Sequence, residues 1–294
     1  MASKWPLHLF ALAVSIVWGS TFASSKVLLN AGMSPAEIMT IRFAVAYVAM
    51  LPFCLRDIKF AGWRDELLFV ALGITGGSLY FVTENIAVGI TSATSTVALI
   101  VCANPVLTAI ISRLVWRNEK LGKHFALGSV AAIVGTALVV FNGIFVLDDN
   151  PLVIILSIAA ALCWSVYSTI LRVQERKHGS LEITRKVFFW GVITILPYFI
   201  YEPFNIDVAI FGDGVVIFNV IFLALVASLG CYFAWNFVSR RLGIVTASNY
   251  LYFNPVVALI TAHITLDETI TMYAIIGCVI TVAGVYLCNK KNKK

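Results

Sequence analysis

The chain has 294 residues, 60% of them hydrophobic and 12% charged. Soluble domains carry about 25% charged residues, so the composition argues against a water-soluble fold. The formal net charge of +6 is spread thinly over short segments and the C-terminal tail, without a basic stripe or RNA-binding motif, which argues against a nucleic-acid partner.

In chain order, apolar stretches run over 7–28, 37–55, 67–88, 94–116, 124–142, 151–172, 186–201, 214–238, 246–266 and 270–288. Several approach about 20 residues, enough for a helix to cross about 30 Å of hydrocarbon. No gap between them can hold a soluble domain. The seventh stretch is short, and its helix is expected to begin nearer Glu182. The start of the chain has features of a signal peptide, with Lys4 ahead of an apolar run and small residues from Gly19 onward. A counterpart later in the chain argues instead for a retained first membrane helix.

Of the 21 lysines and arginines, only Lys26 and Arg42 fall well inside apolar stretches. The others lie at the two chain ends, or within or bordering the gaps after stretches two, four, six and eight. The alternate gaps carry none. Positive residues collect on the cytoplasmic side of a membrane. The pattern therefore predicts an all-α integral membrane protein with ten transmembrane helices in the cell (inner) membrane and both termini in the cytoplasm. The basic tail, 289–294, is expected to touch anionic lipid at about 1 kcal/mol per residue. The six cysteines all lie in apolar stretches without a Cys-x-x-Cys pair, and are read as small core residues rather than disulfides or metal ligands.

The two halves repeat. Trp18 and Lys26 recur as Trp164 and Arg172 at the same spacing, Leu51-Pro52-Phe53 as Leu196-Pro197-Tyr198, and Tyr80-Phe81 as Tyr232-Phe233. Asn104-Pro105-Val106 recurs as Asn254-Pro255-Val256, and Glu119, Gly128 and Gly135 recur as Glu268, Gly277 and Gly284. Matches in this order at nearly constant separation indicate duplication. The repeats span 7–142 and 151–288. Each crosses the membrane an odd number of times, so the second copy enters from the opposite side. Two inverted five-helix repeats around a site near the midplane are the architecture of many secondary transporters.

Trp18-Gly19-Ser20 with Lys26, Arg42-Phe43, and the Asn-Pro turns followed by Glu119 and Glu268 resemble the EamA repeat, two of which make the drug/metabolite transporter (DMT) superfamily. The resemblance covers nearly the whole chain. It implies ten helices, a pocket built from both halves, and export of small metabolites. It leaves open whether the solute is an amino acid, drug, nucleotide sugar or other metabolite. The segment 80–88, containing Glu84-Asn85, is more polar than the third helix of many members.

Glu84 is the only carboxylate well inside an apolar stretch. The topology puts Glu84, Lys26 and Arg42 at similar depth in the outer half. A charge near the bilayer centre costs about 2.5–3.5 kcal/mol on insertion scales, so these groups are expected to face a cavity or a partner. Either Glu84 binds a cationic group or a proton on the transport path, or it forms a static ion pair with Arg42 or Lys26. Lys26 and Arg172 are expected to snorkel toward opposite faces. Trp18, Trp164, Tyr80 and Tyr232, with Glu84, form the candidate substrate site, their ring faces suiting a planar or cationic solute. Pro105 and Pro255 are read as paired kinks inside helices, each costing about 3 kcal/mol, with Asn104 and Asn254 satisfying the freed carbonyls. These kinks serve either gating or packing. Glu119 and Glu268 are read as helix-start residues that offset the dipole. The recurring glycines predict close helix contact between the halves or in a homodimer.

The ionisable residues inside the apolar stretches are too sparse for paired aspartates or a zinc site, and the sequence has no His-Glu-x-x-His motif and no Gly-x-x-x-x-Gly-Lys loop, which argues against an enzyme and against ATP-driven pumping. The expected function is secondary transport of a small amphipathic or aromatic metabolite outward by alternating access, without cofactor or metal. Uptake of a small cationic nutrient is the competing reading, and an intramembrane enzyme a more distant one.

Overall fold

The computed structural model describes residues 5–54, 58–91, 94–116, 122–141, 150–266 and 270–290. Glu119 and Glu268 lie outside these described residues. Within them, ten helices are long and apolar enough to span a membrane. They are α1 (Trp5–Asn30), α2 (Pro35–Cys54), α3 (Trp63–Ile90), α4 (Thr96–Val115), α5 (Lys123–Phe141), α6 (Pro151–Gln174), α7 (Ser180–Ile200), α8 (Gly214–Leu242), α9 (Ile244–Thr261) and α10 (Met272–Asn289). Successive spans alternate in direction. Both ends of the described chain and the connections after α2, α4, α6 and α8 therefore share one face, the basic face.

Local chemistry sets the helix starts. Ser34 and Glu37 form a capping box at α2: the Ser34 N–H donates to Glu37 Oε2 at 2.8 Å and the Glu37 N–H to Ser34 Oγ at 3.3 Å, with Pro35 in the first turn. The Asn150 side chain caps α6 through the Leu152 N–H at 3.0 Å, and Asp213 caps α8 through the Val215 N–H at 2.8 Å. Gly243 adopts φ 90°, which lets the chain turn from α8 into α9 within a single residue. The α7 helix starts at Ser180, before Glu182, because its polar first turns find partners that a hydropathy reading cannot see.

The α7 helix ends in a 3₁₀ segment at Leu196–Ile200, and four other helices are irregular in matched pairs. A π-helical turn occupies Ile74–Ser78 in α3 and a longer one Phe222–Gly230 in α8, each just before the repeated tyrosine. The α4 helix breaks at Cys102–Ala103, and α9 passes through a 3₁₀ segment at Asn249–Phe253. Asn104-Pro105 and Asn254-Pro255 begin the regular segments that follow. The prolines thus stand in a first turn, where a missing N–H is not needed, and the expected mid-helix kink with its cost is not what the structure contains.

The halves pack through equivalent contacts. α1 lies against α8 and α9 of the other half, and α6 against α3 and α4. α5 packs along α10, and α2 along α7. Both of these equivalent pairs run antiparallel. Gly128 faces Gly284 and Cys288, while Gly135 faces Gly277 and Thr281. Glu37 accepts a hydrogen bond from the Asn205 N–H at 2.7 Å, and farther along α2 the Tyr47 ring lies 5.9 Å from Phe189. The repeated glycines therefore serve the contact between halves.

A Cβ built on Gly135 would fall 2.5 Å from the Thr281 backbone N, and one on Gly277 2.5 Å from the Gly135 carbonyl oxygen. Overpacking of this kind costs about 1–3 kcal/mol. Gly135→Leu is expected to lower the melting temperature of the detergent-solubilised protein by several degrees, whereas Gly212→Ala, with nothing within 4 Å of the added atom, leaves it unchanged.

Candidate functional site

The repeated aromatics meet at the centre of the bundle. The Trp18 and Trp164 rings touch edge to face, with centroids 5.0 Å apart at 84°. Trp18 packs on Tyr232 at 5.8 Å and Trp164 on Tyr80 at 5.3 Å, so each tryptophan meets the tyrosine of the other repeat. They surround a cavity of about 30 Å³, room for a water or two but not for a metabolite. Arg42, Glu84, Asn104, Asn254 and Phe22 complete most of its wall. All the aromatic and carboxylate residues expected to form the substrate site are thus brought together.

The charged residues take different partners from those expected. Glu84 forms no ion pair with Arg42 or Lys26 among the described residues; its Oε1 accepts a 2.6 Å hydrogen bond from the Tyr80 hydroxyl. Arg42 is 2% exposed, stacks its guanidinium 4.1 Å from the Phe81 ring centroid, and donates from Nε to Ser228 Oγ at 2.9 Å. Cation–π contact of a desolvated arginine contributes about 2 kcal/mol. Lys26 donates to the carbonyls of Val88, Gly89 and Thr91 at 2.9, 3.1 and 3.0 Å. It caps the end of α3, where a cation offsets the negative dipole end. Arg172, at the equivalent place on α6, stacks over Trp116 at 4.4 Å.

Asn104 and Asn254 were expected to bind freed carbonyls. Only their Nδ2 groups could do so; their Oδ1 atoms, which are acceptors, are buried without a partner among the described residues, as is Trp164 Nε1. Leaving such a buried group unpaired costs about 1–3 kcal/mol. All three residues line the cavity.

The cavity is closed unequally. Toward the face opposite the basic one, Phe22 stands between it and a larger, mostly apolar cavity of about 570 Å³ formed by α1, α8 and α9. Toward the basic face the barrier has several layers. Tyr232 donates to the Gly76 carbonyl, Tyr167 donates to Asn236 Oδ1 at 3.2 Å, and Asn236 Nδ2 donates to Thr184 Oγ1 at 2.8 Å. Beyond these, the Gln174 side chain bonds the Asp65 carbonyl at 2.9 Å, and Asp65 pairs with Lys177 at 2.7 Å and contacts His178 at 3.4 Å. Glu66 forms a buried ion pair with Lys186 and accepts from Trp190 Nε1 at 3.0 Å. Sequence reading missed this layer, because Glu66 and Lys186 look like polar residues at the edges of apolar stretches. Phe22 carried a signal: it lies one turn from Trp18 on α1.

The family model described as "EamA-like transporter family" matches residues 5–141 and again 151–290. A "Probable amino-acid metabolite efflux pump" of Escherichia coli is 24% identical, over 94% of this chain and 92% of its own length. A "Probable terminal-alkyne amino-acid exporter" of Streptantibioticus cattleyicolor is 25% identical, over 96% and 93%. An "Uncharacterized transporter" of Clostridium kluyveri is 26% identical, over 98% and 94%. One solved crystal structure shares the fold with a TM-score of 0.73 at 17% identity, covering 97% of this chain and 96% of the other.

Glu175, just past the end of α6, is 5% exposed and accepts a hydrogen bond from Ser239. Burial pushes its carboxyl up to about 7, against the opposing pull of Ser239 and of Arg240 and Arg172. A raised folded-state value means that the stability associated with the protonated form is complete below the ordinary carboxylate range and is lost as pH rises through about 7. Glu175→Gln is therefore expected to match wild type at pH about 4 and to melt a few degrees higher at pH about 8, as measured by thermal unfolding in detergent.

Proposed function

Because the chain belongs to the EamA-like transporter family, and is a multi-pass membrane protein by its ten apolar spans, we propose that it exports a small zwitterionic, amphipathic metabolite of the amino-acid kind across the cell membrane. The observation that carries this reading is the cavity wall. A buried guanidinium and a buried carboxylate share one aromatic chamber without forming an ion pair with each other. A zwitterion offers each of them a counter-charge: its carboxylate for Arg42, its ammonium for Glu84 and the ring faces. A simple cation would leave Arg42 uncompensated. The names of the amino-acid efflux relatives support both the solute class and the outward direction.

The transport mode follows from the fold. The antiparallel contact of equivalent helices supports an inverted pair of repeats, with the basic face toward the cytoplasm. Solute enters when the layered closure on the basic face opens, settles between Trp18 and Trp164, and leaves past Phe22. The cavity of about 30 Å³ is too small for cargo, so the conformation described is a closed one, separated from the outer side by the thinner barrier. Glu84 suits proton antiport as well as direct solute contact.

Counterflow in proteoliposomes tests this. A panel of labelled amino acids, with and without a pH gradient, is expected to show saturable exchange for at least one. Arg42→Ala and Glu84→Gln are each expected to reduce that exchange at least about tenfold, the equivalent of about 1.4 kcal/mol. Lys26→Gln, which removes only a helix cap, is expected to change it less than about twofold. Unchanged exchange in a folded Glu84→Gln protein would reduce Glu84 to a structural role, and single-channel conductance would overturn the carrier reading.

A further inference from the structure

Trp18 and Trp164 occupy equivalent positions but make different bonds. Trp18 Nε1 donates at 2.9 Å to the carbonyl of Ala227, inside the π-helical turn of α8. The equivalent acceptor for Trp164 is the carbonyl of Thr75, inside the π-helical turn of α3. That bond is not made, and Trp164 Nε1 is buried without a partner among the described residues. The tyrosines are divided in the same way. Tyr232 donates to the carbonyl of Gly76 in the α3 turn. The equivalent bond would join Tyr80 to the carbonyl of Ser228 in the α8 turn, but Tyr80 donates to Glu84 instead. Each repeat therefore offers one indole and one phenol aimed at the other repeat's π turn, and only one set is engaged. Such turns depart from the i→i−4 ladder and recur at functional sites.

We propose that the two sets exchange roles during transport, and that Tyr80 is the positioning residue that surrenders Glu84 to the solute. In the state open to the basic face, Trp164 donates to the Thr75 carbonyl and Tyr80 to the Ser228 carbonyl. Trp18 releases Ala227, and Tyr232 turns to Asn236, which holds the place equivalent to Glu84. The number of hydrogen bonds stays the same, which keeps the two states close in energy, as a carrier requires. Glu84 is then bare only toward the basic face. A cationic group binds there, and it is displaced when Tyr80 returns to Glu84 in the closed conformation described above. This difference in affinity between two states favours loading from the basic face and release on the other, while the gradients set the net direction.

The inference rests on the alternating-access reading, which counterflow tests on its own. The exchange of roles is tested without any solute, by hydrogen–deuterium exchange mass spectrometry of the intact protein in nanodiscs. Trp18→Phe keeps the ring and removes the lock. It is expected to raise deuterium uptake at least about twofold in peptides of the basic face, 174–186 and 236–246, and to lower it in 20–30. Tyr232→Phe removes a second bond of the same lock and shifts uptake in the same direction, which covers the case of a poorly folding tryptophan variant. Trp164→Phe shifts uptake the opposite way or leaves it at the wild-type level. The double variant Trp18→Phe/Trp164→Phe moves back toward wild type, because each lock has lost one indole. Trp18→Phe and Trp164→Phe variants that shift uptake in the same direction, or a double variant whose shift is the sum of two like shifts, would overturn the proposal.

Discussion

The close approach of α5 and α10 along Gly128, Gly135, Gly277 and Gly284 fixes how the two halves of the chain meet. Equivalent helices that touch each other must lie on the axis relating the repeats. These run antiparallel, so the axis passes across the helices rather than along them. The α2–α7 contact places a second point on it. With those two contacts set, α1 and α6 must each reach into the opposite half, and their tryptophans meet at the centre. In lipid, apolar surface gives helices little reason to associate, and close backbone packing supplies the attraction instead. Glycine at these positions provides proximity rather than freedom.

Three charged residues buried in apolar helices are stabilised in three ways. Lys26 is neutralised by carbonyls at a helix end, Arg42 by a ring face and a hydroxyl, and Glu84 by a phenol. The first arrangement gives the ammonium three carbonyl acceptors. The other two leave part of each ionic group facing the chamber. The three groups differ in the bonding capacity that each leaves unused. The same criterion singles out the orphaned oxygens of Asn104 and Asn254.

Much of this was legible in the sequence. Hydropathy located all ten spans. The repeated Trp18/Trp164 and Tyr80/Tyr232 pairs pointed to the residues that line the chamber, because duplication preserves the positions nearest the axis. The errors have physical causes. Proline was read by its effect inside a helix, yet Pro105 and Pro255 stand where a helical segment begins, and only the preceding irregular turn reveals that. Depth left Glu84 either a binding group or an ion-pair partner of Arg42 or Lys26, whereas Lys26 reaches carbonyls at the end of α3, a turn or more beyond Glu84. The Glu66–Lys186 pair was invisible because its partners come from helices distant in sequence, each bordering an apolar run.

One consequence of the chamber concerns the membrane potential. Moving a single elementary charge through 100 mV takes about 2.3 kcal/mol. Arg42 and Glu84, when both are ionised, sum to zero and lie on neighbouring walls of one small space. Rocking them through the bilayer together therefore does almost no electrical work, and a zwitterionic passenger adds none. Without proton coupling, such a carrier would turn over at a rate set by concentration differences, indifferent to the voltage of the cell that holds it.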